Sequence, residues 1–405
     1  MEAALLAAAM FPHPLVSNRT ARKVRAVCRI GLRGQTTSKP TGAIPESVAI
    51  SRSASHRHLR NSSYWACHSM NINWLNASEA AVSFERDYVT RVLNQFDNTI
   101  ITNFNGMKVA RDTVIVYASD AKFVDKKIEN AIKYSDKPII YHLRNERLIH
   151  RCDYYQYARI ILRQYYDPNC RFENVIFTPL GFQSGFPSKA QATTGNRGRP
   201  YKYVWAFIGQ LKSDRAKMVK RLDSLKPNFQ YHTSGWMTRD ILSVEEVCSI
   251  YSQTIFVPCP MGNINPDSFR IMEALENNCI PVVVKFYGYD IFKYTFGDHP
   301  FITGSSWRDC AQKISRLIEH ESELIRKQAE VKAWYQGFSN QLSQDVERVI
   351  VSGSSKNCLG SQFMYQAQGR KDAVLKLIFA WHFNYKPKFV YYVRRIAEKL
   401  GLIKS

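Results

Sequence analysis

The sequence predicts an α/β fold made of two parallel sheets with helices between their strands. An apolar strand at Thr254–Val257 leads through a turn rich in Pro, Gly and Asn into a helix, and a second apolar strand follows at Ile280–Val284. The same alternation recurs on both sides of residues 184–200, whose Gly, Ser, Pro and Thr content is typical of a linker. Strands that alternate with helices form parallel sheets, so we expect one such domain on each side of the linker.

The first predicted domain spans residues 71–183. Its strands are short apolar runs, and its helices carry apolar residues at helical spacing. The predicted helices are Trp74–Phe96 and Lys122–Tyr134, and the predicted strands are Thr113–Tyr117, Pro138–Leu143, Ala158–Leu162 and Asn174–Phe177.

The second predicted domain spans residues 201–350 and contains the strand–turn–helix–strand unit described above. Long helices follow its last strand and close the carboxyl-terminal end. The additional strands are Tyr203–Ile208, Phe229–His232 and Phe301–Ile302, and the additional helices are Asp214–Leu225, Ser243–Tyr251, Trp307–His320 and Glu321–Ile350.

The turn before the central helix predicts a place for an anion. Asn265 can cap the helix, Pro266 suits the first helical position, and Asp267 and Ser268 fill the first turn. The first N–H groups of a helix have no partner inside it, so such a start can bind phosphate.

The central helix has two chemically different faces. Arg270, Glu273 and Asn277 fall on one side, where arginine can hold a diphosphate and glutamate can accept hydrogen bonds from ribose hydroxyls. An ordinary surface ion pair explains Arg270 and Glu273 equally well from the pattern alone. The packing side carries Phe269, Ile271, Met272 and Leu275.

The stretch CPMGNINPDSFRIMEALENNCIPVVV resembles the nucleotide-sugar motif of the exostosin-like glycosyltransferases, glycosyltransferase family 47 and its relatives. Those proteins carry a CP-x-G turn, an S-x-R-x-x-(D/E)-A helix and a (G/N)-C-I-P-V strand. FIGQLKSDR resembles their donor-domain opening, and IIYHLRNER and VIFTPLGFQSGF resemble acceptor-domain segments. The residues that match the central motif are Cys259, Pro260, Gly262, Ser268, Arg270, Glu273, Ala274, Cys279, Ile280, Pro281 and Val282.

This resemblance, which covers about Asp112–Ile350, implies the GT-B architecture: two Rossmann-like domains facing across a cleft, with carboxyl-terminal helices. It implies a hexosyl- or pentosyltransferase that inverts the anomeric centre without a metal. The co-substrate is a nucleotide sugar, UDP-linked by expectation, no other cofactor is expected, and the acceptor is a glycan or glycoconjugate. The expected donor-binding residues are Gly209, Lys212, Arg215, Gly262, Asn265, Ser268, Arg270 and Glu273.

An inverting transfer needs a base for the acceptor hydroxyl. Asp120, His142 and Glu146 each follow or end a strand of the first domain, where parallel sheets place functional groups. The pattern does not choose among them, and a residue of this kind, taken singly, is more often a capped or solvated polar residue than a base. His150 and Asp153 are weaker candidates.

The net charge of +22 lies mostly at the two ends of the chain. Residues 1–70 hold ten Lys and Arg residues and two acidic ones, and residues 370–405 hold nine and two. A nucleic-acid enzyme carries its basic stripe on the folded core, so no nucleic-acid partner is expected. The tail, residues 351–405, alternates aromatic and basic residues, which predicts either peripheral contact with an anionic membrane or a helix packed back on the first domain.

Residues 1–70 predict a disordered basic segment, and their Arg- and Ser-rich, acid-poor composition also fits an organellar transit peptide. With the tail, this predicts a membrane-peripheral location, in the Golgi or endomembranes if the protein is eukaryotic. Two other function classes stay open. One is a relative that binds a carbohydrate or nucleotide without catalysis, and the other is a basic membrane-associated scaffold that binds no nucleotide.

Overall fold

A computed structural model describes residues 71–399 except for 75–82, 94–98, 102–107, 112, 120–121, 171, 187–200, 236–237 and 353–369. The described residues belong to one compact unit. They form two parallel sheets that are flanked by helices, which confirms the predicted α/β class.

The first sheet has six strands in the order β2-β1-β3-β4-β5-β6, and all its pairings are parallel. Helices α1 and α2 and one 3₁₀ turn, Asp153–Tyr157, connect these strands. The strands are β1 Asn71–Trp74, β2 Thr99–Ile101, β3 Val114–Ala118, β4 Ile139–Leu143, β5 Ile160–Gln164 and β6 Val175–Thr178; the helices are α1 Arg86–Val92 and α2 Lys126–Tyr134.

The second sheet has five parallel strands in the order β11-β10-β9-β7-β8. Its strand order reverses next to β7, and ligands of such sheets sit at a reversal of this kind. The strands are β7 Tyr203–Ile208, β8 Asn228–Tyr231, β9 Thr254–Pro258, β10 Ile280–Val284 and β11 Ile302–Gly304; the helices are α3 Arg215–Leu222, α4 Val244–Tyr251, α5 Arg270–Glu276, α6 Lys293–Phe296 and α7 Trp307–Glu319.

The carboxyl-terminal region is helical and packs back on both domains. Phe379 contacts Tyr166 of the first domain and Phe286 of the second, with ring centroids 5.8 and 5.4 Å apart. The part of the tail that contains Phe379 is therefore a structural element that bridges the two domains. The helices are α8 Glu321–Ser352, α9 Arg370–Ala380 and α10 Lys386–Lys399, and a π-helical turn, Trp381–Tyr385, joins α9 to α10.

Strands β3, β4 and β5 are buried along their whole length, as expected for parallel strands that are covered on both faces. The sequence therefore shows them as short continuous apolar runs. Burial of such runs stabilises the sheet by about 25 cal/mol for each Å² of apolar surface removed from water. The strands thus fix the loops at their carboxyl ends, where the two domains meet.

The two domains contact each other through an ion pair and through aromatic rings. Arg91 of α1 pairs with the buried Glu276 of α5 at 2.6 Å. Phe84 meets Phe269 edge to face, with 5.3 Å between the ring centroids. These contacts flank the cleft.

The start of the first domain differs from its prediction. Trp74 ends strand β1, and the next described helix begins at Arg86, so the predicted helix Trp74–Phe96 is wrong over its first part. A strand of four residues places only two side chains on each face, too few for a period-two pattern. Residues 1–70, residues 187–200 of the predicted linker 184–200, and residues 353–369 and 400–405 of the predicted tail 351–405 lie outside the described residues.

None of the helices in the part of the chain described above is both long and apolar enough to cross a membrane.

Candidate functional site

A cavity of about 320 Å³ lies between the two domains. Seven of the eight predicted donor-binding residues line it; the exception is Asn265, which is buried beside it. The first domain contributes Glu85, Glu146 and Gln164 to the opposite wall. The cavity is thus a polar cleft with donor-motif residues on one side.

Arg270, the first residue of α5, reaches across to the end of strand β7. Its Nη2 and Nε donate to the carbonyl oxygen of Ile208 at 2.8 and 3.2 Å, and its guanidinium lies over the ring of Phe207. A Cβ on Gly209 would come within 2.2 Å of Nη2, and the φ of Gly209, +139°, disfavours other residues. Glycine here lets the arginine lie against the backbone.

Two further cations lie beside Arg270. Arg215, at the start of α3, donates to the carbonyl oxygens of Met261 and Gly262 at 3.0 and 3.1 Å. Burial, followed by the repulsion of Arg270, lowers the pKa of Arg215 to about 10. Burial and the same arginines also lower the pKa of Lys212. Because these three cations lie together in a partly buried site, a bound anion would stabilise them strongly.

The loop between β9 and α5, here called the donor loop (residues 259–268), is held by a carboxylate from the first domain. The backbone N–H groups of Asn263, Ile264 and Asn265 donate to Oε1 of Glu146 at 2.5, 2.9 and 3.4 Å. Consecutive N–H groups that converge in this way form an anion-binding nest. A Cβ on Gly262 would lie 2.7 Å from the same oxygen.

The position of Glu146 follows from the end of strand β4. Arg144 and Asn145 both take left-handed conformations, with φ of 69° and 70°, which turn the chain sharply after Leu143. The Asn145 side chain then accepts the N–H of Ile149 at 3.1 Å and stabilises the turn. Glu146 is thereby directed at the donor loop, and its carboxylate is already engaged there.

Two acidic residues of the cavity wall have raised pKa values. Burial raises the pKa of Asp267 to about 7, and its Oδ1 is buried without a hydrogen-bond partner. Burial also raises the pKa of Glu273 to about 7, although Arg270 opposes this shift. The Ser268 hydroxyl is likewise buried without a partner. These groups have hydrogen-bonding capacity that the protein itself leaves unused.

The predicted helix start is wrong by several residues. Helix α5 begins at Arg270 and has Phe269 as its N-cap, so Pro266 precedes the helix. Asn265 instead accepts the N–H of Asp267 at 3.1 Å and closes a tight turn inside the donor loop. The tertiary contacts of this loop override the local capping pattern. Of the predicted packing face of α5, Ile271, Met272 and Leu275 are buried, whereas Phe269 is partly exposed and lines the cavity.

His142 lies in the core of the first domain and not on the cavity wall. It is fully buried in β4, stacks on Tyr117 at 4.6 Å, and has its Nδ1 2.5 Å from the hydroxyl of Tyr155. Burial, then the neighbouring His150 and Arg163, hold the pKa of His142 well below its usual range. Of the three predicted bases, only Glu146 is a described residue that lines the cavity.

Asp120 falls outside the described residues, so its prediction stays open. No pattern in the sequence indicated two other polar groups of the first-domain wall. Glu85 is 1% exposed and accepts a hydrogen bond from Gln164, which also donates to the carbonyl of Leu180 at 3.0 Å. Glu85 precedes a short helix and Gln164 ends a strand, and neither place carries a recognisable motif. Among the residues with described side chains, no group of three or more His, Cys, Asp or Glu could hold a metal ion.

No protein-family model matches the sequence, and no curated protein is significantly similar to it. Solved structures with a related backbone arrangement include an α1,3-fucosyltransferase (11% identity, 68% of this chain and 90% of that one, TM-score 0.41). They also include a DNA-modifying β-glucosyltransferase (12%, 70% and 99%, 0.42) and T4 phage β-glucosyltransferase (12%, 70% and 99%, 0.38). At such low identities and TM-scores, these similarities assign neither a family nor a substrate to this chain.

Proposed function

We propose that this protein is an exostosin-like glycosyltransferase that transfers a hexose or pentose from a nucleotide sugar to a hydroxyl of a glycan or glycoconjugate. The observation that carries the proposal is the cluster of Lys212, Arg215 and Arg270 on one wall of the interdomain cavity. Their unfavourable proximity is relieved when a dianionic diphosphate lies among them. The cavity also has the minimum size expected for a small-molecule site, about 300 Å³.

In this proposal the donor diphosphate lies between the two arginines, and Lys212 supplies a third charge. The same cations stabilise the leaving nucleotide as the bond to the sugar breaks, so the transfer needs no metal. Glu273, one turn beyond Arg270 on α5, accepts hydrogen bonds from the ribose hydroxyls. Activity that persists in excess EDTA would agree with this assignment, whereas loss that Mn²⁺ restores would overturn the metal-free mechanism.

The proton of the acceptor hydroxyl goes to Asp267 in this proposal. Its Oδ1 is unpartnered in the cavity wall, and a pKa of about 7 suits proton transfer near neutral pH. The hydroxyl oxygen attacks the anomeric carbon, the bond to the diphosphate breaks, and the configuration inverts. Glu146 is not assigned this step, because its carboxylate already accepts three N–H groups of the donor loop.

The direct test is binding and turnover of candidate donors. Thermal melting of the full chain with UDP-, GDP- and CMP-sugars should show a raised Tm with one class, UDP-sugars by our expectation, because ligands of the native state stabilise it. Release of the nucleotide on addition of glycan acceptors then measures transfer. Binding without any release would favour the non-catalytic relative, and the absence of any binding would overturn the proposal.

Gly209 offers a variant that tests the geometry of Arg270 without changing any charge. The Cβ of Gly209→Ala displaces the guanidinium from its place in the cation cluster, so donor affinity should fall by about tenfold or more, equivalent to about 1.4 kcal/mol. Gly337→Ala is the matched control, because an added Cβ there meets nothing within 4 Å. Equal donor affinity in both variants would show that the position of Arg270 does not contribute to donor binding.

We further propose that the outer part of α10 touches an anionic membrane surface. Phe389, Val390, Tyr391 and Tyr392 are all more than half exposed, and exposed lysines accompany them. Such a helix suits the lipid headgroup region. Lys386→Gln with Lys388→Gln should weaken sedimentation with phosphatidylserine vesicles, by about 1 kcal/mol for each cation. Unchanged sedimentation, or none in the unmodified protein, would contradict this contact.

A further inference from the structure

Two cysteines of the first domain lie together, away from the cavity. Cys152 precedes the 3₁₀ turn, Cys170 lies in the loop after β5, and the side chains of the two cysteines interact with each other. Cys170 is 6% exposed, whereas Cys152 is only partly buried. A reagent from solution therefore reaches Cys152 first.

A buried cation lies against the more accessible thiol. Arg163 is 1% exposed, and its Nη1 is 3.0 Å from Sγ of Cys152 and 3.0 Å from the hydroxyl of Tyr155. Its only carboxylate contact in the described structure is with Asp167, whose Oδ2 lies 3.5 Å from Nη2. Arginine beside a thiol stabilises the thiolate, which is the reactive form of cysteine.

The two thiols differ in acidity as a reactive pair requires. The hydrogen bond from Cys170, followed by the charge of Arg163, lowers the pKa of Cys152. The same hydrogen bond, together with burial, raises the pKa of Cys170. Cys152 is thus the nucleophile of the pair, and Cys170 is a protonated thiol placed next to it.

We propose that Cys152 and Cys170 form a reversible thiol–disulfide site that reacts with small disulfides of the glutathione class. The Cys152 thiolate attacks one sulfur of the oxidant, forms a mixed disulfide and releases one thiolate. Cys170 then loses its proton and attacks the Cys152 sulfur, which closes the Cys152–Cys170 disulfide and releases the second thiol. The protein loses two electrons and two protons, and the oxidant becomes two thiols.

The other described cysteines supply the contrast. Cys259, Cys279 and Cys310 are buried and have raised pKa values. Cys248 is partly exposed as Cys152 is, but burial raises its pKa to about 11. Cys248 is therefore the matched control for accessibility without thiolate stabilisation.

The test exposes the folded, reduced full-length protein to glutathione disulfide, followed by alkylation of the remaining thiols and peptide mass spectrometry. We expect a linked Cys152–Cys170 peptide pair in the unmodified protein and in Cys248→Ser. Cys170→Ser should stop at a glutathione adduct on Cys152, because the resolving thiol is absent. Cys152→Ser should leave Cys170 as a free thiol under the same conditions.

Reaction rates with a limiting alkylating reagent provide the second measurement. At pH 7 Cys152 should react at least about tenfold faster than Cys248, since only the thiolate reacts. Circular dichroism confirms that each serine variant is folded. Equal reactivity of Cys152 and Cys248, or glutathione adducts without the Cys152–Cys170 link in the unmodified protein, would overturn the proposal.

Discussion

The two domains use the same kind of parallel sheet, but their polar side chains have opposite positions. In the first domain, His142 and Arg163 sit on β4 and β5 and are buried in the core, where each contacts the hydroxyl of Tyr155. In the second domain, Arg215, Arg270 and Asp267 follow the strands and line the cavity. A polar residue within a strand becomes part of the core, and a polar residue just beyond the strand end can face a ligand.

This comparison predicts that proton transfer depends on the second domain. Asp267→Asn should lower turnover by about 100- to 10,000-fold, the usual effect of removing a general base, while UDP affinity is retained. Turnover at saturating donor and acceptor, with isothermal titration of UDP, measures the two effects separately. Asp223→Asn is the control, because Asp223 is an exposed carboxylate outside the cavity.

The opposite outcome would place the base in the first domain. If His142→Phe lowers turnover by a comparable factor in a folded protein, whereas Asp267→Asn does not, then His142 takes part in proton transfer despite its buried position. If neither variant slows transfer, the prediction for Asp120 becomes the one to test.

The second prediction concerns the cation cluster. Arg270→Ala should weaken UDP binding by roughly 2 kcal/mol or more, about 30-fold, since a guanidinium that can hold a diphosphate bidentately is lost. Lys217→Ala removes an exposed cation from the neighbouring helix α3 and should bind UDP normally. Equal affinity of a folded Arg270→Ala and the control would show that the cluster is a structural feature of the sheet edge.

The third prediction uses the opposite pKa shifts of the two regions. Asp267 keeps its proton to about pH 7 when folded but releases it near pH 3.8 when unfolded, so it makes stability fall as pH rises between these values. His142 is neutral when folded, whereas the unfolded chain protonates it below about pH 6.5, so it makes stability fall as pH drops below that value. Each contributes a slope of up to about 1.4 kcal/mol per pH unit.

Urea unfolding between pH 5 and pH 6.5 should therefore separate the two residues, because their slopes partly cancel in the unmodified protein. Asp267→Asn should make stability rise more steeply with pH, and His142→Phe should make it rise less steeply or fall. Variants that shift the slope in the same direction, or not at all, would contradict the assigned burial of these groups.

The sequence was sufficient to predict most of the fold, and seven of the eight residues predicted to bind the donor do line the cavity. The buried strands are recognisable in the sequence as continuous apolar runs. Gly209, Arg215 and Arg270 lie close to strand ends, so their positions at the sheet edge follow from the order of elements along the chain. Strand β1 was not predicted, because four residues are too few to show an alternating apolar and polar pattern. The burial of His142 was not predicted either, because burial depends on which aromatic side chains pack around a strand end.

Glu146 shows the limit most clearly. Its place after a strand predicted a base, yet its partners are N–H groups of the donor loop in the other domain. Only the packing of the two domains brings them together, and no pattern within either segment encodes that contact. The start of α5 has the same explanation, because Glu146 and the Asn265 turn shape the donor loop before the helix begins.

The smallest expected effect comes from this contact between the two regions. Glu146→Gln keeps one oxygen that can accept the N–H groups of Asn263 and Ile264 but removes a negative charge near Lys212 and Arg215, which attract it. UDP, itself an anion, should then bind about three- to fivefold more tightly, a gain of less than about 1.4 kcal/mol that salt screens. Titrations of UDP at low and high salt measure this gain, with Glu245→Gln as an exposed control. Weaker binding of UDP to Glu146→Gln would instead mean that the charge itself is needed to hold the donor loop in its binding conformation.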